Sequence, residues 1–182
     1  CMARYSRNHK GWGQFSEEGV VQLNDPHPAV AILELLRLLV DLEQMPWDQA
    51  WELVRKTFAH TNHTLLPEAL ETWSEGLFAK VLPRHYDLVL EVNQRFLQNE
   101  VEKLSPGDTE RKRNMAIVAD GQVRMAHLSV VGSHSVNGVA ALHTELLQQR
   151  LLRDFAELYP TRFNNKTNGI TPRRWLVGCN RS

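Results

Sequence analysis

Residues 29–42 form the stretch that most restricts how this chain can fold. Only three charged residues occur in it, Glu34, Arg37 and Asp41, and their spacing puts all three on one narrow stripe of a helix whose remaining circumference is apolar. Such a helix must be covered on almost every side. A chain of 182 residues that is 42% hydrophobic can build one substantial core. This helix needs more cover than a surface helix does, so we expect it to belong to a larger body.

A short apolar run over residues 20–23 precedes this helix and ends at the polar sequence Asn24-Asp25-Pro26-His27. The pattern predicts a strand that runs into a turn, with the polar residues at the carboxyl end of the strand. In open α/β sheets, ligands bind at that edge. The strand and the many helical segments together predict an α/β, helix-rich fold.

Hydrophobic spacing, prolines and glycines predict several further helices and one hairpin. We expect helices after Pro46, where Trp47, Trp51, Val54 and Phe58 recur at helical intervals, over residues 67–73, over 74–104 with an interruption near Pro83, after 137–138, and over 151–158. The pair Asp120-Gly121 between two apolar runs predicts the hairpin. Residues 1–19 are polar and interrupted by glycines, and their pattern predicts no defined element.

Three polar clusters lie on predicted turns, at residues 24–27, 61–64 and 165–169. Their Asn, Asp, His and Thr side chains offer hydrogen-bond donors and acceptors with little charge, which suits a neutral ligand rich in hydroxyl groups. A sugar fits this inventory better than a phosphate does. The same residue types also form turns and helix caps that bind nothing, so both interpretations are open for each cluster taken alone.

The charge balance argues against a polyanionic partner, because 21 Lys and Arg offset 21 Asp and Glu and leave no bulk field that attracts nucleic acid or an anionic membrane. The longest uncharged stretch, residues 125–144, carries too many Ser, His and Asn residues for hydrocarbon. Two cysteines without a metal-binding or disulfide pattern, Cys1 and Cys179, favour a reducing, cytoplasmic setting. We expect both ends to lie inside a longer polypeptide.

A metal site is the main alternative that the residues themselves suggest. His60 and His63 are three positions apart, and Asp25 and His27 could add ligands. The sequence has no H-E-x-x-H motif and no Cys ligand pair, so we expect no bound metal. Two alternative functions remain open: a metal-dependent hydrolase built on His27, His60 and His63, and a noncatalytic helical module that binds a glucan or a partner protein.

Taken together, the clusters resemble the α-glucan phosphorylases, the family of glycogen, starch and maltodextrin phosphorylases. The resemblance covers residues 20–180. Its motifs are LNDPHP at 23–28, TNHTLLPEALETW at 61–73, LPRH at 82–85, GSHSVNGVAALHTELL at 132–147 and FNNKTNGITPRRWL at 163–176. It implies a glycosyltransferase with a two-domain glycosyltransferase-B fold and the active site in the interdomain cleft. The implied reaction is phosphorolysis of the terminal α-1,4 bond of a glucan, which releases glucose 1-phosphate.

The resemblance also implies which part of such an enzyme this chain represents. Residues 20–168 match the C-terminal portion of the family's N-terminal domain, residues 169–182 match the start of its cofactor-binding C-terminal domain, and residues 1–19 match only loosely. The family uses pyridoxal phosphate, and the lysine that holds it belongs to the part of the C-terminal domain that this chain lacks. We therefore expect the chain alone to be inactive. The full-length protein is expected to be a cytoplasmic homodimer that acts on an α-1,4-glucan and inorganic phosphate.

Carried over by position, five of the family's active-site residues fall within the polar clusters. The resemblance implies that His63 hydrogen-bonds the 6-hydroxyl of the transferred glucose and that its main-chain carbonyl faces the positive charge that develops at the anomeric carbon. Asn168 is expected to bind the same hydroxyl, and Val139 to pack against C6. The other expected site residues are Asp25, His27 and Thr64, with Glu68 and Glu71, on the β side of the glucose, and Trp175 near the cofactor.

Two positions depart from the family pattern. Pro26 stands where the family usually has Thr, and Leu33 where it usually has Pro. Pro26 removes a hydroxyl and a backbone N–H beside Asp25 and His27. We therefore expect the pocket around these two residues to differ in shape from that of the family.

Overall fold

The computed structural model describes residues 2–179, so Cys1 and residues 180–182 lie outside it. Its strands are β1 (Val21–Asn24), β2 (Phe58–Thr61), β3 (Thr72–Ser74), β4 (Val118–Ala119), β5 (Gln122–Arg124), β6 (Ser135–Gly138) and β7 (Phe163–Asn165). Its α-helices are α1 (Met2–Tyr5), α2 (Phe15–Glu18), α3 (Val30–Arg37), α4 (Trp47–Thr57), α5 (Glu75–Val81), α6 (Pro83–Phe96), α7 (Glu102–Leu104), α8 (Thr109–Met115), α9 (Met125–Val131), α10 (Ala141–Leu146) and α11 (Arg153–Leu158). Helices α3, α6 and α10 continue into π-helical turns over Leu38–Leu42, Leu97–Val101 and Leu147–Leu151. A further π-helical turn covers Arg173–Gly178, and a 3-10 turn covers Pro67–Ala69.

The centre of the fold is a four-stranded parallel sheet with the strand order β1-β2-β6-β7. Leu23 of β1 pairs with His60 of β2, and His60 pairs with Val136 of β6. Because the strands are parallel, their carboxyl ends lie at one edge of the sheet. The sequence-based prediction of an α/β, helix-rich fold is confirmed, as is the strand that precedes the polar residues at 24–27.

Helix α3 and its π-helical extension cover most of the predicted helix at 29–42 and are almost as buried as its composition predicts. Leu33 and Leu36 are fully buried. The charged stripe lies along α6 and is only partly exposed to solvent. Glu34 accepts hydrogen bonds from Arg37 at 2.8 Å and from His85 at 2.9 Å, and Asp41 accepts two from Arg84. Helix α6 thus supplies partners for Glu34 and Asp41, and Glu34 in turn pairs with Arg37, so each charge of the stripe is matched.

The long helical region at 74–104 is confirmed, with the break at Pro83 between α5 and α6. Ser74 caps α5 through a hydrogen bond from the Leu77 N–H to its Oγ. The hairpin is confirmed as well. Strands β4 and β5 are antiparallel, and the φ values are 56° for Asp120 and 73° for Gly121. Two consecutive residues with positive φ make the turn that matches the twist of a hairpin.

Two predicted helices end differently in the structure. Phe58 was predicted to lie on the same apolar helix face as Trp47, Trp51 and Val54. It is instead the first residue of β2, because the chain passes from α4 into the sheet without a loop. The predicted helix over 67–73 is only a 3-10 turn, and Trp73 lies in β3, which pairs with β5. In both places pairing with a distant strand overrides a local helical pattern.

Strands β2, β6 and β7 and helix α9 have no counterpart among the sequence-based predictions. Each of the three strands is only three or four residues long, which is too short for a clear alternating pattern. None of the helices in residues 2–179 is long and apolar enough to cross a membrane.

Candidate functional site at the carboxyl edge of the parallel sheet

The polar clusters predicted from the sequence meet at the carboxyl edge of the parallel sheet. Residues 24–27 follow β1, residues 61–64 include the end of β2, and residues 165–169 include the end of β7. A fourth segment, residues 137–139, includes the end of β6. Strand β6 lies between β2 and β7 in the sheet. The convergence has a simple cause, since parallel neighbours end at the same side of a sheet.

The first step across this edge joins β1 to β2. The Asp25 N–H donates to the Thr61 carbonyl at 2.9 Å, and the His63 N–H donates to Asp25 Oδ1 at 2.9 Å. Asp25 itself adopts a left-handed backbone conformation, with φ of 58°, which Asp tolerates better than most residues. The turn after β1 thus folds over the end of β2 and anchors the backbone of His63.

The imidazole ring of His63 is held by Asn24, the last residue of β1. Its Nε2 lies 2.6 Å from Asn24 Oδ1, and the His63 residue as a whole is exposed. An exposed, hydrogen-bonded ring at the end of a strand is available to a ligand and already oriented.

The second step joins β2 to β6. The Asn62 N–H donates to the Asn137 carbonyl at 2.9 Å, and Asn62 Oδ1 accepts the N–H of Thr64 at 3.1 Å. Asn62 is fully buried, and its Nδ2 has no hydrogen-bond partner in the described residues. One buried amide therefore shapes the turn that carries His63 and Thr64.

A ladder of side chains crosses the three strands just before they end. Gln22 Nε2 donates to Thr61 Oγ1 at 2.8 Å, and Thr61 Oγ1 donates to Asn137 Oδ1 at 2.9 Å. Asn137 Nδ2 donates in turn to the Gly138 carbonyl at 3.0 Å. This ladder ties β1, β2 and β6 together beneath the residues that end the sheet.

The third step joins β6 to β7 and brings Asn168 beside Val139. The Lys166 N–H donates to the Gly138 carbonyl at 3.1 Å, and the Asn168 N–H donates to the Val139 carbonyl at 3.0 Å. These bonds continue the β6–β7 pairing beyond the strands. His63 and Asn168 therefore lie on segments separated only by the β6 segment, which at the usual strand spacing is about 10 Å between backbones. Side chains from both segments can reach one sugar ring across that distance.

Gly138 is sterically required at the end of β6. A Cβ on this residue would lie 2.7 Å from His143 Nδ1 and 2.9 Å from the Thr144 Cα. His143 is in that place because its Nδ1 accepts the Val139 N–H at 3.2 Å. Thr144 donates to Asn165 Oδ1 at 3.0 Å, so α10 closes tightly on the ends of β6 and β7.

His27 belongs to a second cluster at the same edge. His27 Nδ1 lies 2.5 Å from Glu71 Oε2, and Trp73 Nε1 donates to Glu71 Oε1 at 2.7 Å. Glu71 thus bridges the turn after β1 and strand β3. Of the two glutamates predicted near the pocket, Glu71 contacts a predicted site residue, whereas Glu68 lies exposed on the 3-10 turn.

Trp175 is not packed into this group of residues. It lies on the π-helical turn Arg173–Gly178, every residue of which is exposed, and its own side chain is 58% exposed. Asp25 thus contacts His63, Asn168 contacts Val139, and Thr64 follows His63 in the chain. His27 lies in the second cluster with Glu71, and Trp175 is left in solvent.

The histidines proposed as metal ligands have different environments. His60 is fully buried, and neither ring nitrogen has a hydrogen-bond partner in the described residues. Burial lowers the pKa of His60 from 6.5 to about 4, so the ring is neutral near pH 7. His27 contacts Glu71, and His63 contacts Asn24. Within residues 2–179, no three His, Cys, Asp or Glu side chains are grouped so that they could hold a metal ion.

Several residues that shape the site were not predicted as site residues, although Asn62 lies within the polar cluster at 61–64. Gln22, Asn62, Asn137 and Thr144 all act through partners on other strands or segments. Their position could have identified them, because each lies in or beside β1, β2, β6 or α10 near the ligand-binding edge of the sheet. Two of these strands, β2 and β6, were not predicted, so that signal was missing.

The chain is similar to known proteins over most of its length. The family model for carbohydrate phosphorylase matches residues 1–182. Over 169 residues, or 91% of the chain, it is 56% identical to the muscle form of glycogen phosphorylase from Oryctolagus cuniculus, 54% to the brain form from Bos taurus and 53% to the brain form from Homo sapiens. These matches cover 20% of each relative. The chain thus spans about a fifth of the length of the curated relatives it matches.

Proposed function

The chain belongs to the carbohydrate phosphorylase family, and from that premise we propose that the whole protein cleaves terminal α-1,4-glucosidic bonds of a glucan with inorganic phosphate. The product is glucose 1-phosphate. This chain contributes one wall of the active site. The observation that carries the proposal is the convergence of His63, Val139 and Asn168 on adjacent segments at one edge of the sheet.

The chemistry of this edge suits a neutral, hydroxyl-rich ring. Asn168, Thr64 and His63 can each donate or accept hydrogen bonds, and Val139 adds an apolar contact. Together they would test for the hydroxymethyl group of glucose by hydrogen bonding and by shape. A sugar that lacks this group would leave buried partners unsatisfied.

In the proposed reaction a phosphate oxygen forms a bond to the anomeric carbon while the bond from that carbon to the glycosidic oxygen breaks. The leaving oxygen keeps the electron pair and takes up a proton. Positive charge develops on the sugar ring during this exchange, and we assign its stabilisation to the main-chain carbonyl of His63. The Thr64 N–H, which shares a peptide unit with this carbonyl, donates to Asn62 Oδ1 at 3.1 Å, which supports this role because a fixed dipole needs no reorganisation as the charge forms.

We assign Asp25, His27 and Thr64 to the β side of the bound glucose, with Glu71 as the carboxylate that holds His27. His27 and Glu71 are 2.5 Å apart. Pro26, where the family usually has Thr, is buried between the two turn residues, so in this protein the backbone rather than a hydroxyl shapes that part of the pocket.

Pyridoxal phosphate is the cofactor proposed for the whole protein, in which its phosphate group serves in proton transfer. The residues described here do not form a site for it. Lys166, the lysine within the cluster at 165–169, donates its Nζ to Asn164 Oδ1 at 2.7 Å, and Trp175 is exposed. We therefore assign the cofactor's lysine to polypeptide outside this chain, and to Trp175 a place near the cofactor once that polypeptide covers it.

The same proposal assigns residues 20–168 to the end of the N-terminal domain and residues 169–182 to the start of the cofactor-binding domain of a glycosyltransferase-B fold. Asn164 is half-buried and every residue from Asn165 to Cys179 is exposed, which supports a boundary in this part of the chain. We further propose a cytoplasmic homodimer for the whole protein, acting on glycogen or maltodextrin. We assign no function to residues 1–19.

The direct test is an assay of the complete polypeptide with maltoheptaose, inorganic phosphate and pyridoxal phosphate. We expect glucose 1-phosphate as the product. Asn168→Ala should lower kcat/KM about tenfold, because one hydrogen bond to the sugar is lost. Asn99→Ala is the matched control, since Asn99 is exposed on the π-helical turn Leu97–Val101, and it should leave kcat/KM unchanged.

Three results of this assay decide between the functions. Free glucose instead of glucose 1-phosphate would indicate hydrolysis and contradict the proposal. Absence of both products, together with maltoheptaose binding to the 182-residue chain, would favour a noncatalytic glucan-binding module. Glucose 1-phosphate from the 182-residue chain alone would contradict the assignment of the cofactor lysine to other polypeptide.

A further inference from the structure

The two residues that end β1 hold His63 at two points. Asp25 Oδ1 accepts the His63 backbone N–H at 2.9 Å, and Asn24 Oδ1 lies 2.6 Å from Nε2 of the ring. The backbone contact positions the residue, whereas the contact with Asn24 is the one made by the ring. The chemistry of Asn24 Oδ1 therefore decides which hydrogen-bonding group the ring offers to a ligand.

An amide oxygen only accepts hydrogen bonds, so the ring nitrogen that faces Asn24 Oδ1 must carry the proton. A neutral imidazole has one N–H. When Nε2 carries the hydrogen, Nδ1 has a free lone pair and acts as an acceptor. The partner at one side of the ring thus determines which hydrogen-bonding group remains at the other side.

The neutral charge of Asn24 is the second part of the argument. A carboxylate at this position would also accept from Nε2, but it would stabilise the imidazolium form, in which both ring nitrogens are donors. The other charged or titratable groups near this edge are Asp25, His27, His60, Glu71, His143 and Lys166. Of these, Asp25 contacts the His63 backbone, and His60 is neutral because burial lowers its pKa to about 4.

We propose that Asn24 is a positioning residue that holds His63 in its Nε2–H form and so leaves Nδ1 as a hydrogen-bond acceptor for a hydroxyl group of the sugar. The identity of the ligand rests on the proposed function, whereas the state of the ring does not. The site then selects for a hydroxyl donor at this position. A sugar oxidised there to a carboxylate offers only acceptors and meets an unmatched lone pair.

The first test reads the ring directly by NMR of the ¹⁵N-labelled 182-residue chain, which needs no activity. In the wild-type chain at alkaline pH, we expect the His63 nitrogen shifts of a single Nε2–H form. Asn24→Leu, nearly the same size without an acceptor, should shift both nitrogens toward the average of a mixed population. Asn24→Asp should raise the proton affinity of His63 about tenfold, which is about one pKa unit.

Asn99→Asp is the matched control for added charge, because Asn99 is exposed on a turn that packs chiefly on α6, α7 and α8. It should leave the His63 titration unchanged. A wild-type ring with its proton on Nδ1 would overturn the proposal, and so would an Asn24→Asp chain in which His63 titrates as in the wild type.

The second test uses the complete polypeptide and compares glucose 1-phosphate with xylose 1-phosphate, which lacks the hydroxymethyl group, as donors to a maltodextrin. Asn24→Leu and Asn24→Asp should lower kcat/KM about tenfold for glucose 1-phosphate and much less for xylose 1-phosphate. Equal losses for both donors would show that Asn24 serves only the fold, and would overturn the role in recognition. If the wild-type polypeptide uses neither donor, the proposed function fails, while the NMR result still decides the state of His63.

Discussion

The carboxyl edge of the parallel sheet and the β4–β5 hairpin are built in opposite ways. At the edge, Thr61 and Asn137 are hydrogen-bonded although they are 76 residues apart in sequence. In the hairpin, Asp120 bonds Arg113 and Arg124, which are within seven residues of it. The edge depends on side chains that the fold brings together from four strands. The turn of the hairpin depends on two residues and on local ion pairs, although β5 also pairs with the distant strand β3. A substitution at the edge should therefore affect the whole fold, and one in the hairpin should have a mainly local effect.

The largest contrast is expected between two glycines. Gly138→Ala places a Cβ 2.7 Å from His143 Nδ1 and 2.9 Å from the Thr144 Cα, and backbone is not easily displaced. We expect a loss of about 3 kcal/mol or more in the free energy of unfolding. Gly121→Ala has open space around it and only a positive φ of 73° to oppose it, which costs about 1 kcal/mol.

Urea unfolding of the 182-residue chain measures both effects. Gly76→Ala is the control, since Gly76 lies inside α5 with nothing near its Cβ position, and it should stabilise the chain by about 0.5 to 1 kcal/mol. A Gly138→Ala chain that is no less stable than Gly121→Ala would contradict the close packing of α10 against β6.

This contrast also explains what could be predicted from the sequence. The hairpin was predicted because Asp120-Gly121 supplies its turn within two residues, and α6 because Pro83 marks its start. Strands β2, β6 and β7 were not predicted, because each is short and is stabilised mainly by pairing with its neighbours. A strand such as Ser135–Gly138, with Asn and Gly at its end, has almost no β-forming pattern of its own.

The candidate site follows the same division. Asp25, His27, Thr64 and Asn168 could be named from polar clusters and from resemblance to a family, because both lie in the local sequence. Their arrangement could not, since it depends on the order β1-β2-β6-β7. The contact between Asn24 and His63 joins residues 39 positions apart, and only the pairing of β1 with β2 brings them together.

The second prediction concerns pH and the strand that leads into the edge. The pKa of His60 is about 4 in the folded chain because of burial and returns to about 6.5 on unfolding. The unfolded state then binds more protons between these values, so stability falls as pH decreases from about 6.5 to 4. His60→Phe removes this contribution and should flatten the fall in the free energy of unfolding over that range by about 2 kcal/mol.

His127 provides the comparison for this experiment. Its pKa is also lowered to about 4 by burial, so part of the pH dependence should remain in His60→Phe. Unfolding midpoints in urea at pH 7, 6 and 5 measure the slope. An unchanged slope in His60→Phe would show that His60 is accessible to protons in the folded chain.

The third prediction tests the ladder beneath the edge. Asn137→Ala removes the acceptor of the Thr61 hydroxyl and the donor to the Gly138 carbonyl, and Asn137 is only 8% exposed. We expect a loss of about 2 kcal/mol, because buried polar groups on two strands lose a partner. Asn114→Ala, an exposed change on α8, is the matched control, and equal urea midpoints for the two variants would contradict a structural role for the ladder.

The smallest effect is expected in the hairpin, from Asp120→Asn. The neighbouring Arg113 and Arg124 hold the pKa of Asp120 below its usual value, so any contribution of these ion pairs is present above about pH 4 and is lost as the carboxylate becomes protonated. All three side chains are at least partly open to solvent, where ion pairs contribute little and salt screens them. Asn also tolerates the positive φ of this turn.

The urea midpoint of Asp120→Asn should therefore match that of the wild-type chain within error at 0.5 M salt. A loss as large as that of Asn137→Ala would mean that the hairpin, like the edge, supports distant parts of the fold, and the contrast between the two regions would not hold.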